Sequence, residues 1–106
     1  MNDGFQVRVV DVDGEAVVEV SGEIDLHARP DLVTAIEQAA TGGRRLVIDL
    51  SGTTFIDSTA LRALLDAWRS QSDAGQDLVL RRPAPVVVRT LEIAGLTGTL
   101  PIDPDG

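Results

Sequence analysis

The stretch LVIDLSGTTFIDSTALRALLDAWR, Leu46 to Arg69, reads as three pieces. Leu46-Val47-Ile48 is a short apolar run of the kind found in a strand covered on both faces. Ser51 to Ile56 follows as a loop without a long polar side chain. Leu61, Leu64, Leu65 and Trp68 then recur at i, i+3, i+4 and i+7, with Arg62, Asp66 and Arg69 on the opposite side, which predicts an amphipathic helix. At the junction stand an acid and two hydroxyls, Asp57-Ser58-Thr59, where that helix begins.

Working outward, Phe5 to Val9 alternates as a half-buried strand does, and Asp11-Val12-Asp13-Gly14 supplies turn chemistry. Ala16 to Ser21 is a second strand, so the chain opens on an antiparallel hairpin, and Gly22-Glu23-Ile24-Asp25 leaves it as a loop. Pro30 and Asp31 mark a helix start, Leu32, Ala35, Ile36, Ala39 and Ala40 follow at helical spacing, and Gly42-Gly43 ends it. Gly75 closes the helix after Asp57, and Leu78-Val79-Leu80 is the next strand. Between Pro83 and Gly95 three valines favour a strand, but the prolines at the start and the glycine at the end fit a helix better. A last short strand is expected around Leu100 to Ile102, stopped by Pro104. The order β-β-α-β-α-β-α-(β) predicts an α/β fold: a mixed sheet with a starting antiparallel hairpin, then parallel β-α units with right-handed crossovers. At 106 residues, residues 1–106 are expected to form a single domain.

Composition narrows the function. Seventeen acids against nine bases, all arginine, give a net charge of −8, and no basic stripe with aromatics occurs, which argues against direct nucleic-acid binding. Eight acids crowd the first 31 residues: Asp3, Asp11, Asp13, Glu15, Glu19, Glu23, Asp25 and Asp31, read mostly as a solvated face. No apolar run approaches a membrane span, and MNDGFQ lacks the regions of a secretion signal, so no membrane contact and a cytoplasmic location are expected. Cysteine is absent and no metal-ligand spacing occurs, so neither a metal nor a cofactor is expected.

In α/β sheets, partners and ligands meet the carboxyl ends of strands, which directs attention to two loops. Topology sets the Gly22–Asp25 loop beside the Asp57-Ser58-Thr59 junction, with Asp25 near Ser58. Serine and aspartate are both leading helix caps, so Ser58 reads either as a cap or, if Asp57 caps, as an outward-facing phosphoacceptor. A nucleophile elbow needs glycines two residues either side of the serine, and here they are Ile56 and Ala60. The lone His27 is read as surface, and no catalytic residue is assigned.

Val47-Ile48-Asp49-Leu50-Ser51 and Phe55-Ile56-Asp57-Ser58-Thr59 together resemble the signature of STAS domains, specifically bacterial anti-sigma factor antagonists. Gly22-Glu23-Ile24-Asp25 is similar to that family's loop after the second strand, and Ala94-Gly95-Leu96 to its late helix end. The resemblance implies a STAS-type fold and a binding protein rather than an enzyme. It implies an anti-sigma factor with serine kinase activity as partner, phosphorylation at Ser58 with Thr59 second, release on phosphorylation, and a serine phosphatase that reverses it. Glu23, Asp25, Asp57, Ser58, Thr59 and Arg62 are the expected partner-binding residues. An adaptor subunit of a sensor scaffold or transport complex, never phosphorylated, would share these features. Two departures stand out: Ala60 where the family has glycine, with a methyl expected to hinder a partner, and an end soon after the last strand, where many members add a helix, which leaves either a bare sheet face or a shorter variant of the fold.

Overall fold

A computed structural model describes residues 4–104. Strand β1 (Phe5–Val12) turns at Asp13 and Gly14, both at positive φ (50° and 80°), into β2 (Glu15–Ile24), as a two-residue hairpin of matching twist requires. Asp11 and Val12 therefore belong to the strand rather than to the turn. There follow α1 (Arg29–Ala40), β3 (Arg45–Ile56), α2 (Ser58–Asp73), β4 (Leu78–Arg81), α3 (Pro85–Ile93) and β5 (Ile102–Asp103). The segment after Pro83 is a helix, as expected, with proline in its first turn. The last strand starts two residues later than expected, at Ile102.

The sheet order is β1-β2-β3-β4-β5, antiparallel at the first pair and parallel at the other three. Successive right-handed crossovers in one direction put every helix on the same face. One apolar cluster accordingly joins Ala16, Val18, Leu46, Ile48, Leu50 and Leu80 of the sheet with Leu32, Ile36, Leu61, Leu64, Val87 and Leu91 of the helices. Val17, Val47 and Val79 point the other way and form a separate row.

That second face is not bare. Arg81, one row beyond the valines on β4, reaches Glu15 Oε1 at 3.2 Å, one row before them on β2. Arg45 holds Glu15 Oε2 at 2.8 Å. This bridge spans the valine row, which is why the valines are buried without a helix above them. The arginines draw the Glu15 carboxyl below its usual range, Arg45 most, against a smaller effect of burial. Several acids of the N-terminal crowd are therefore paired across the sheet rather than merely solvated: Glu19 with Arg8, Asp11 with Arg44, and Glu15 as described. Asp3 lies outside the described residues.

Two boundaries differ from the sequence reading, and both matter for the site. Ser51–Ile56 is not a loop, because β3 continues through it to Ile56; nor is Gly22–Ile24, which still belongs to β2. Register slips between Glu19 and Ser21, and again between Gly22 and Glu23, mark two bulges that let small polar residues remain in strand. Pairing of β3 with β4 stops at Asp49 and Arg81, so the ends of β2 and β3 form an arm that extends past the rest of the sheet.

Asp49 sits at the root of that arm. It is buried, its Oδ1 accepts the Ser51 N–H at 2.9 Å, and its Oδ2 accepts Arg82 Nη2 at 2.5 Å. Burial would raise the Asp49 carboxyl, but the Ser51 donors and Arg82 hold it below its ordinary value of 3.8. A carboxyl lowered on folding contributes stability above that value and loses it as pH falls further. The melting temperature should therefore drop steeply below about pH 4, and less steeply in Asp49→Asn. Parallel slopes in thermal melts from pH 7 to pH 3 would show that Asp49 carries none of this dependence.

Candidate functional site

The tips of the arm bring the two expected loops together. Ile24 pairs with Ile56, and the Asp57 N–H donates to the Ile24 carbonyl at 3.1 Å. Asp57 is the N-cap of α2: its Oδ1 accepts the Ala60 N–H at 2.9 Å and the Thr59 hydroxyl at 2.7 Å. Burial pushes the Asp57 carboxyl up, but these bonds and the backbone N–H groups of Thr59 and Leu26 outweigh it and hold the group below the usual carboxylate range. The backbone bond from Asp57 to Ile24 and the pairing of Ile24 with Ile56 join the two segments into one surface.

With Asp57 capping, Ser58 is the first residue of α2, exposed, its hydroxyl without a hydrogen bond among the described residues. Thr59 is half-buried and its hydroxyl proton is committed to Asp57. Of the two hydroxyls, only Ser58 is presented outward.

Asp25 is half-buried, and its Oδ1 accepts the N–H groups of His27 and Ala28 at 3.0 Å each, so this carboxylate chiefly fixes the turn that leads into α1. Glu23 is exposed and lies opposite Phe55 in the arm. Arg62 stands one turn along α2 from Ser58, exposed, 3.4 Å from Asp66 in an (i, i+4) pair of small energetic weight. Ala60 is fully buried, so its methyl packs into the core and meets no partner. The expected hindrance at that position is thereby overturned.

Two residues missed by the sequence reading complete the surface. Leu26 is 61% exposed and Phe55 44% exposed, both beside the junction. The misassigned loop at Ser51–Ile56 hid which way Phe55 faces. No group of three or more acidic, histidine or cysteine side chains is placed to hold a metal ion among the described residues, and no described helix is long and apolar enough to cross a membrane. A concavity of about 750 Å³, lined by Arg8, Glu19, Asp49 and Arg82 among others, lies on the helix-free face and does not include Ser58.

The cap is measurable. Asp57→Ala removes an oxygen that satisfies the first turn of α2 and should cost about 1–2 kcal/mol in urea unfolding. A change under a few tenths of a kcal/mol would show that the bond to Ala60 carries no weight.

A family model described as Mlab, STAS domain, matches residues 7–102. The chain is 31% identical over 103 residues to the anti-sigma-B factor antagonist of Listeria monocytogenes, covering 96% of this chain and 90% of that protein. It is 35% identical over 91 residues, 83% of its length, to a Mycobacterium tuberculosis protein, and spans 62% of that protein. The crystal structure of an anti-sigma factor antagonist from Mycobacterium paratuberculosis matches with a TM-score of 0.87 at 32% identity, covering 98% of this chain and 89% of that one.

Proposed function

Because this chain belongs to the STAS domain family, we propose that it acts as an anti-sigma factor antagonist whose switch is Ser58. Unphosphorylated, it binds an anti-sigma factor through the surface around Ser58 and so frees the sigma factor. The anti-sigma factor is a serine kinase; phosphorylation of Ser58 breaks the complex, and a serine phosphatase restores it. The chain is a regulatory binding protein, and nucleotide and magnesium chemistry belong to the kinase.

The observation that carries this reading is the division of labour at the α2 N-terminus. Asp57 caps the helix and occupies the Thr59 hydroxyl, which leaves Ser58 exposed and unbonded. A phosphoryl group there adds roughly −1.5 to −2 charges at the positive end of a helix, which the fold tolerates. A docked partner instead faces new charge beside Glu23, Asp25 and Asp57.

Capture of partners from the native cell by the tagged chain tests the function as a whole. Recovery of a protein with a kinase-type ATPase fold, free of sigma factor, is expected with the wild type and not with the phosphorylated form. Recovery of only a transporter or sensor scaffold, equally with both forms, would replace this reading with that of an unphosphorylated adaptor.

A further inference from the structure

Resting on the reading just given, we propose that Leu26 and Phe55, exposed near the strand ends that lead to Ser58, are the apolar anchors by which the anti-sigma partner grips this chain. A kinase must bring the terminal phosphate of its nucleotide within bonding distance of the Ser58 hydroxyl. Its surface then necessarily covers the side chains that flank Ser58.

Those flanking side chains are set by the fold. Leu26 is held at the junction because Ile24, two residues before it, pairs with Ile56 and accepts the Asp57 N–H at 3.1 Å, and it stays 61% exposed. Phe55 lies three residues before Ser58 on the arm, 44% exposed, paired in register with Glu23. Neither belongs to the core on either face of the sheet. A leucine and a phenylalanine kept in water at a helix start gain free energy when a partner covers them.

Charge adds the complement. Glu23, beside Phe55, is exposed and forms no ion pair among the described residues, and the chain as a whole carries −8. The fitting partner surface is an apolar hollow with basic side chains at its rim. Such a surface separates two tasks: the anchors supply affinity, and the charge state of Ser58 decides whether that affinity is expressed. Ile93 offers a built-in comparison, being 79% exposed at the far end of α3 rather than beside Ser58.

The test uses the full chain and its cognate anti-sigma factor. Calorimetric titration should show Leu26→Ser and Phe55→Ser each weakening binding by about tenfold or more, with Ile93→Ser within twofold of wild type. Phosphorylation of Ser58 in the two anchor variants should show a raised KM with kcat little changed. Hydroxyl-radical labelling of the wild type should fall at Leu26 and Phe55, and not at Ile93, when the partner is added, which settles the matter even if a variant folds poorly. Wild-type affinity in both anchor variants together with undiminished labelling would overturn the anchors while leaving the Ser58 switch intact. A wild-type chain neither bound nor phosphorylated would overturn both.

Discussion

Replacing Ser58 by aspartate should weaken binding to the anti-sigma partner by about a hundredfold, because a carboxylate enclosed in an apolar contact loses its water at a cost of several kcal/mol. The fold itself should hardly notice. Ser58 is exposed at the first position of α2, where a negative charge meets the positive helix end, and its side chain has no partner among the described residues to lose. Ser58→Ala should bind like the wild type, since it removes a hydroxyl that holds nothing. The pair of variants thus separates charge from shape. Equal affinities for Ser58→Asp and Ser58→Ala, measured by calorimetry, would dismiss the charge mechanism.

The second large effect is structural. Gly22→Ala should destabilise the domain by about 3–5 kcal/mol, enough to lower its melting temperature by roughly 15 °C or more. Gly22 has φ +87°, and a Cβ built there would overlap the carbonyl oxygen of Gly4. The backbone there cannot simply give way, because the same carbonyl accepts the Glu23 N–H at 2.5 Å. This contact fixes the start of β1 against the arm that carries Glu23 and leads to Asp25. Gly14 provides the control: its φ is +80°, but nothing lies within 4 Å of a Cβ. Gly14→Ala should therefore cost only the left-handed backbone term, about 1–2 kcal/mol. Similar melting temperatures for the two variants would refute the steric argument.

Much of this architecture was legible from local patterns. Helices announced by Pro30, by Asp57 and by Pro85 formed where periodicity and cap chemistry put them, since those signals act within a few residues. What escaped was non-local. Ser51, Gly52, Thr53 and Thr54 have loop composition, yet β3 runs through them: Gly52 and Thr53 pair with β2, and two bulges absorb the mismatch in register. The roof of Glu15, Arg45 and Arg81 joins three strands, so no single segment foretold it. Ala60 looked like an obstruction because only its neighbours in sequence were in view, while the helix turns its methyl inward. At the junction itself, two caps were conceivable from sequence. The bonds to Ala60 and Thr59 assign that task to Asp57, and this is what leaves Ser58 open.

The role proposed for Ser58 rests on that opening, and one measurement meets it directly. The wild-type chain and Ser58→Ala are incubated with the cognate anti-sigma kinase and ATP, and the phosphate is mapped by mass spectrometry. One phosphate per chain on Ser58, with none on Ser58→Ala, is the predicted result. Phosphate on Thr59 or elsewhere, to the same extent in both proteins, would contradict it.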